Sequence, residues 1–145
     1  PRLRESDCQL HVDVPEDLPM IDGDRDALVT VVLNLLDNAY KYSEGPRQIS
    51  VAGRAEGGNV NLSVSDNGIG MPPSATRRVF QRFYQVDQRL ARKQQGCGLG
   101  LSIVDYIVQA HSGSVSVTSR LGQGTTFIVS IPIASHDASK TEVQA

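Results

Sequence analysis

Tryptophan is absent from this sequence, and its aromatic side chains are limited to three Phe and four Tyr. Proteins that bind single-stranded nucleic acid stack bases on aromatic rings, so this scarcity argues against such a function. Positive charge is not in excess either, because 14 Lys and Arg stand against 16 Asp and Glu. A surface that binds duplex DNA needs a surplus of Lys and Arg. We therefore expect no nucleic acid among the partners.

Cysteines and long apolar runs are also few. Cys8 and Cys97 lie far apart and match neither zinc-site nor redox spacing, so we expect two free thiols in a reducing compartment. No apolar run reaches membrane-spanning length and no signal peptide is visible, which predicts a cytoplasmic domain without membrane contact of its own. The chain starts at Pro1 rather than Met, which indicates a piece of a longer parent protein, and that parent is free to carry a membrane anchor.

The order of apolar residues predicts an α+β fold in one domain of residues 1–133, followed by a disordered tail at 134–145. Helices interleaved with hairpins favour a two-layer α/β sandwich, in which about three helices cover one face of a mixed, mostly antiparallel sheet. The predicted strands are residues 8–14, a short strand within 18–24, 48–55, 60–66, 114–120 and 125–133. The predicted helices are residues 25–42, capped by Asp24, 73–83, and a segment within 99–113 that Gly113 closes. The polar segment 85–98 has no periodicity and is typical of a lid.

A polar stripe runs beside the apolar face of the predicted helix 25–42, and it consists of Thr30, Asn34, Asn38 and Lys41. Asn is a mediocre helix former, and residues four apart share one helix face. Amide oxygens suit Mg²⁺, and a Lys ammonium suits phosphate. An equally open interpretation is a helix edge whose Asn side chains bond to the neighbouring backbone.

Two glycine-rich segments follow. "DNGIGM" (66–71) places Asp66 at the end of a predicted strand, where the carboxylate can accept a hydrogen bond from an exocyclic amine. The competing interpretation is an ordinary tight turn. "GCGLGLSIV" (96–104) enters a helix, whose N-terminus suits phosphate. No strand precedes it, so it is not a dinucleotide fingerprint, and the P-loop pattern is absent.

Together these motifs closely resemble the ATP-binding catalytic domain of sensor histidine kinases, which has the Bergerat-type ATPase fold. The resemblance covers roughly residues 9–133. The matching segments are "NLLDNAYKYS" (its N box), "DNGIGM" (its first Gly box), "VFQRFYQVD" (its F box), "GCGLGLSIV" (its second Gly box), "VQAHSGSVSV" and "GQGTTFIVSIP" (its closing Gly–Thr motif).

The resemblance implies ATP and Mg²⁺ as the cofactors and assigns a role to each matching residue. Asn38 would be the principal Mg²⁺ ligand, Asn34 would assist it, and Lys41 would contact phosphate; Asn38 and Lys41 are the expected catalytic residues. Asp66 would accept a hydrogen bond from the adenine amino group. Phe80 would help to anchor the base of the lid. The other expected nucleotide-binding residues are Tyr42, Gly68, Gly70, Phe83, Arg89, Arg92, Gly96, Gly98, Leu99, Gly100 and Thr125, the last through an ordered water near adenine.

Three positions depart from the family pattern. Gln85 stands where many relatives carry an Arg, so that positive charge is either missing here or supplied elsewhere, with Arg89, Arg92 and Lys93 as candidates. Thr30 stands where relatives often carry Gln or Glu, and Cys97 occupies a variable position of the lid.

The activity implied by the resemblance is transfer of the γ-phosphoryl group of ATP to a histidine. That histidine lies on a separate dimerisation domain of the same parent, and a receiver domain of a response regulator then takes the phosphoryl group on an Asp. His11, His111 and His136 lack the sequence context of an acceptor, so the isolated domain is expected to be a monomer that binds Mg-ATP without autophosphorylation. The alternatives are another ATPase or a serine kinase of the same fold, or a degenerate regulatory module that no longer uses ATP.

Overall fold

The fold was described from a computed structural model, which describes residues 8–43, 46–81 and 100–134. The strands are β1 (Cys8–Asp13), β2 (Arg47–Glu56), β3 (Asn59–Asp66), β4 (Ser114–Arg120) and β5 (Gly124–Pro132). The helices are α1 (Arg25–Lys41), α2 (Pro73–Thr76) and α3 (Gly100–Ala110).

The five strands form one sheet in the order β1-β2-β3-β5-β4. β1 pairs with β2 in parallel, whereas the other three pairs are antiparallel, so the predicted mixed sheet is confirmed. The turn between β2 and β3 consists of Gly57 and Gly58, with φ values of 59° and 82°. Glycine adopts positive φ at little cost, which explains why this pair forms a two-residue hairpin turn.

The core lies between the sheet and the helices. In α1 the buried residues are Val31, Leu35 and Ala39, which recur every four residues and therefore line one face. They pack with alternate residues of the strands and with α3 in one apolar cluster. The buried strand residues of that cluster are Ile49, Val51, Val64, Phe127, Val129 and Ile131. Phe80 joins the cluster from outside, with its ring edge-on to Phe127 at 6.0 Å between centroids.

The start of α1 and the end of α3 are closed by local hydrogen bonds. The side chain of Asp24 accepts from the backbone N–H groups of Asp26 and Ala27, as predicted for the cap of α1. After α3, Ser112 is left-handed with φ 62°, and the N–H of Gly113 bonds to the carbonyl of Val108 at 2.9 Å. This is a Schellman motif in which Ser112, rather than Gly113, is the left-handed residue. Glycine at 113 is required for a different reason, since a Cβ there would lie 2.2 Å from the carbonyl oxygen of Ser130.

Two sequence-based predictions of local structure were wrong. The short strand within 18–24 is only an isolated bridge between Ile21 and Ile133, because Pro19 lacks an N–H and the chain bends at Gly23. The helix predicted over 73–83 ends at Thr76. Beyond it the described hydrogen bonds are the tight i to i+3 type, as from the N–H of Gln81 to the carbonyl of Arg78.

Several predictions fall outside the described residues. They are the lid over 85–98, the first part of the second Gly box, and the tail after residue 134. Ala134, which the sequence assigned to the tail, is buried, and its N–H donates to the carbonyl of Met20 at 2.7 Å. The domain limit at 133 stays a prediction.

Candidate functional site

Polar side chains interrupt the apolar inner face of the sheet at one end. Asp66 ends β3 with the same orientation as the buried Val64. Thr125 is the second residue of β5 and has the same orientation as the buried Phe127. Side chains two residues apart share a face of a strand, so Asp66 and Thr125 face the helical layer side by side. Apolar packing is replaced there by groups able to bind a ligand.

Asp66 is held with one oxygen engaged. Its Oδ1 accepts from the N–H of Gly68 at 2.8 Å and from the N–H of Thr125 at 3.3 Å. Its Oδ2 has no hydrogen-bond partner within the described ranges. Burial raises the pKa of the Asp66 carboxyl above its ordinary value, and the two backbone N–H groups oppose that shift. The second oxygen is therefore an acceptor in a partly desolvated place, suited to a ligand that donates.

The loop after Asp66 lies against the end of α1 and against the β4–β5 turn. The N–H of Ile69 donates to the carbonyl of Tyr42 at 3.0 Å. A Cβ on Gly68 would lie 2.2 Å from that same carbonyl oxygen. Gly70 has φ 73°, and a Cβ there would lie 1.9 Å from the carbonyl oxygen of Arg120. Both glycines are thus required by close approach of backbone to backbone.

In the polar stripe of α1, some of the polar groups bond to the protein itself and others do not. Asn34 donates its amide Nδ2 to the carbonyl of Thr30 at 2.8 Å, the backbone bond of the structural interpretation. Its Oδ1 is left for another partner. The side chain of Asn38 has no hydrogen bond to any residue in the part of the chain that the structure describes. Lys41 is engaged with Asp37, with 3.0 Å between Nζ and Oδ2.

The start of α3 lies beside this stripe. A Cβ on Gly100 would lie 3.0 Å from Oδ1 of Asn34, so glycine at this position keeps the amide oxygen accessible. Gly100, the last glycine of the second Gly box, and Asn34, the first residue of the N box, are thereby brought together although they lie 66 residues apart in sequence. The expected site residues that lie outside the described ranges are Phe83, Arg89, Arg92, Gly96, Gly98 and Leu99.

Sequence reasoning missed two residues of this region. Ser119 of β4 contacts Thr125, with 2.8 Å between the two hydroxyl oxygens. Its position in the alternating strand 114–120, two residues after the half-buried Val117, was the available signal. Asp37 was also overlooked, although its i, i+4 spacing to Lys41 predicts the ion pair.

The donor set suits a hard cation that also binds phosphate. The described residues contain no group of three or more His, Cys, Asp or Glu able to hold a metal. Amide oxygens of Asn34 and Asn38 are the oxygen ligands that Mg²⁺ accepts while it keeps waters and substrate phosphates. In the described parts of the chain, no helix is long and apolar enough to cross a membrane.

The sequence of this chain is similar to those of known proteins. Residues 23–135 match the model of the family described as histidine kinase-, DNA gyrase B- and HSP90-like ATPase. The sensor-like histidine kinase SenX3 of Mycobacterium tuberculosis H37Rv is 37% identical over 140 residues, which are 94% of this chain and 34% of SenX3. The chain thus spans about a third of the length of the curated relative it matches.

Solved structures show the same fold. The mycobacterial sensor histidine kinase MprB superimposes with a TM-score of 0.78 at 32% identity, covering 89% of this chain and 86% of that one. Full-length ShkA in complex with AMPPNP superimposes with a TM-score of 0.78 at 36% identity, covering 92% of this chain and 27% of that one.

Proposed function

The chain belongs to the family of histidine kinase-, DNA gyrase B- and HSP90-like ATPases and is a catalytic domain of the histidine kinase type; on that premise we propose that it binds ATP with Mg²⁺ and donates the γ-phosphoryl group to a histidine of its parent protein. In this proposal the domain lies in the cytoplasm, its parent is free to be anchored in a membrane, and a response regulator receives the phosphoryl group from the parent.

The arrangement of Asp66 carries the proposal. Its Oδ1 is engaged by the N–H groups of Gly68 and Thr125, and its Oδ2 stays available at the end of the sheet. An adenine amino group is a donor that fits this acceptor. Burial strengthens such a bond, because little water competes for the carboxylate. Tyr42 and the glycine loop would border the base.

The polar stripe of α1 would hold the phosphates. Asn38 offers an amide without a protein partner among residues 8–43, 46–81 and 100–134, and Asn34 offers Oδ1 because its Nδ2 is occupied by Thr30. Mg²⁺ bound at these oxygens would neutralise charge on the phosphates. Lys41 would either leave Asp37 to bind a phosphate oxygen, or keep its contact with Asp37 and be oriented by it toward a phosphate oxygen. The residues of the predicted lid would enclose the same phosphates.

The γ-phosphoryl acceptor is proposed to lie outside this chain. Phosphoryl transfer depends on positioning and electrostatic stabilisation, so an acceptor must reach the phosphates in line with the leaving group. The ring of His111 is engaged with the backbone of α3, and His11 lies on the edge strand β1. The acceptor would therefore be on a dimerisation domain of the same parent. The similarity to sensor histidine kinases supports this assignment.

An ATP hydrolase of the same fold is less well supported. Such an enzyme needs a carboxylate on the Asn helix to activate water. Thr30 occupies that place, and its hydroxyl donates to the carbonyl of Asp26 at 3.0 Å, so it is not a base.

Calorimetric titration with a non-hydrolysable ATP analogue, with and without Mg²⁺, tests the binding step. We expect binding that strengthens with Mg²⁺ and is lost in Asp66→Ala. Asp13→Ala is the matched control, because Asp13 is an exposed carboxylate on the edge strand β1. A folded wild-type chain that does not bind the analogue would refute the proposal in favour of a degenerate regulatory module.

Incubation with radiolabelled ATP tests the transfer step. The chain alone should acquire no acid-labile phosphate, whereas a mixture with the dimerisation domain of its parent should acquire it on that domain. Stable acid-labile phosphate on the isolated chain would contradict the assignment of the acceptor to another domain.

A further inference from the structure

The ring of His111 joins the start of α1 to the end of α3. A backbone N–H only donates, so Nε2 of His111 accepts from the N–H of Asp24 at 3.0 Å. Nδ1 then carries the ring hydrogen and donates it to the carbonyl of Ile107 at 2.8 Å. Gly23 lies directly against the ring, because a Cβ on it would lie 2.6 Å from Cδ2 of His111. The ring is therefore held between the residue that caps α1 and the last turn of α3.

This hydrogen bond does what the apolar contact between the two helices cannot do. Both helices contribute to one buried apolar cluster, with Val31 and Leu35 from α1 and Val104 and Val108 from α3. Apolar burial is non-directional and leaves the position of one helix along the other weakly determined. A hydrogen bond weakens steeply when its distance or angle changes, so the bond at His111 sets that position.

The phosphate half of the proposed site lies at the opposite end of the same helix pair. Asp24 and Asn34 are ten residues apart along α1, and Gly100 and His111 are eleven apart along α3. At about 1.5 Å per residue these spans are about 15 Å and about 16 Å, so fixing one end of the pair determines the other. The tolerance at the far end is small, since a Cβ on Gly100 would lie 3.0 Å from Oδ1 of Asn34.

We propose that His111 is a positioning residue for the phosphate half of the site. By accepting from the Asp24 N–H, its ring fixes α3 along α1 and thereby places Gly100 beside the amide oxygen of Asn34. This inference rests on the proposed function, namely that Asn34 and the start of α3 bind Mg²⁺ and the phosphates of ATP.

The base half of the site is built from other elements. Asp66 ends β3 and is held by the N–H groups of Gly68, in the glycine loop, and Thr125, in β5. None of these three residues lies on α3, so a displaced α3 leaves their hydrogen bonds in place. Adenosine has the base without the phosphates. The ratio Kd(adenosine)/Kd(Mg-ATP) therefore measures what the phosphates and Mg²⁺ add to binding.

Two substitutions separate the two hydrogen bonds of the ring. The side-chain oxygen of Gln reaches the place of Nε2, so His111→Gln keeps an acceptor for the Asp24 N–H. The shorter Asn places its amide near Nδ1, so His111→Asn keeps a donor for the Ile107 carbonyl and loses the bond between the helices. Each variant gives up one hydrogen bond, so the two should lose similar stability while they differ in how α3 is placed.

A third substitution disturbs the same contact without changing His111. Gly23→Ala adds a methyl group 2.6 Å from Cδ2 and 2.9 Å from Nε2 of the ring, which pushes the ring away from the Asp24 N–H. It should therefore have the effect of His111→Asn.

The experiment is a calorimetric titration of the wild-type chain and the three variants with Mg-ATP, and an NMR titration of each with adenosine. Kd(adenosine) should change little in any of them. The ratio Kd(adenosine)/Kd(Mg-ATP) should stay within about twofold of wild type in His111→Gln. It should fall about threefold to tenfold in His111→Asn and in Gly23→Ala, since the coupling cannot exceed the net free energy of the lost hydrogen bond.

A merely structural role for His111 gives a different pattern. His111→Gln and His111→Asn would then lower the ratio equally, or adenosine and Mg-ATP would weaken in the same proportion, and either result would overturn the inference. If His111→Asn does not fold, as judged by circular dichroism, a wild-type ratio in Gly23→Ala is sufficient to reject it. A wild-type chain that binds Mg-ATP no more tightly than adenosine would instead refute the proposed function.

Discussion

The backbone N–H of Asp24 donates to Nε2 of His111 at 3.0 Å, which joins the first turn of α1 to the end of α3. Since Nε2 accepts, the ring carries its hydrogen on Nδ1, and this nitrogen donates to the carbonyl of Ile107 at 2.8 Å. The pairing places the two helices side by side in opposite directions. At the other end of the same pair, Gly100 comes next to Asn34. His111 thus helps to set the alignment on which the phosphate side of the proposed site depends.

His111→Ala should lower the free energy of unfolding by about 1 to 3 kcal/mol, because it leaves the Asp24 N–H and the Ile107 carbonyl without this partner. Urea denaturation followed by circular dichroism measures the change. His11→Ala, on the exposed face of the edge strand, should change stability by less than about 0.5 kcal/mol. Equal effects of the two substitutions would show that the contact between the helices does not contribute.

Asp66→Asn should raise the melting temperature at neutral pH while it abolishes ATP binding. Burial raises the pKa of Asp66, so the folded chain holds this proton at pH values where the unfolded chain has already lost it. The group's contribution to stability therefore falls as pH rises from the ordinary pKa to the raised one, and stays lower above it. Asn carries no charge and keeps an oxygen for the N–H groups of Gly68 and Thr125, but its Nδ2 would face the adenine amino group.

Thermal melts of Asp66→Asn and wild type between pH 4 and pH 8, together with titration with ATP at pH 7, provide the measurement. The difference in melting temperature should shrink toward the acidic end, where the wild-type carboxyl is also protonated. Asp13→Asn controls for the loss of one surface charge. A lower melting temperature for Asp66→Asn at every pH would mean that the carboxylate stabilises the fold.

Asn38→Ala should remove most of the gain in ATP affinity that Mg²⁺ provides, by about tenfold or more, because the substitution deletes an oxygen ligand of the proposed Mg²⁺ site. Affinity without Mg²⁺ should change little, and calorimetry with and without EDTA measures both quantities. Asn59→Ala is the control, since Asn59 lies at the opposite end of β3 from Asp66. If the Mg²⁺ gain survives in Asn38→Ala, the cation is held elsewhere.

Gly70→Ala should destabilise the chain by more than about 3 kcal/mol, since it combines backbone strain with a clash against the carbonyl of Arg120. Gly57→Ala separates the two effects, because Gly57 has a similar φ of 59° and no atom within 4 Å of its added Cβ. It should cost only about 1 to 2 kcal/mol. Urea midpoints of the two variants provide the comparison, and equal values would exclude the clash as the source of the effect.

The features that the sequence predicted well depend on neighbours within a few residues. The apolar positions Val31, Leu35 and Ala39 follow the period of a helix, and Asp24 caps that helix through its own next turn. Gly57 and Gly58 form the hairpin turn that their spacing between two strands indicates. The helix after residue 73 was predicted too long because a short stretch has too few residues to reveal a period.

The features that escaped prediction depend on groups far apart in the chain. Glycine is required at position 68 because a Cβ there would meet the carbonyl of Tyr42. The hydroxyl of Ser119 forms hydrogen bonds with Met71 and Thr125. No pattern within β4 indicates which of its polar residues meets the glycine loop. The partner of Asp24 at His111, 87 residues away, was equally hidden.

The sequence by itself determined that this chain is an α+β domain with two glycine-rich segments and an Asn-bearing helix, because periodicity, capping and turn chemistry act over a few residues and can be read in order. The tertiary structure decided which atoms remain available for a ligand. It engages one oxygen of Asp66 and leaves the other, engages the amide nitrogen of Asn34 and leaves its oxygen, and brings the hydroxyl oxygens of Thr125 and Ser119 within 2.8 Å of each other. Each of those outcomes depends on a hydrogen-bond partner, and partners from distant strands are chosen only when the sheet and helices come together.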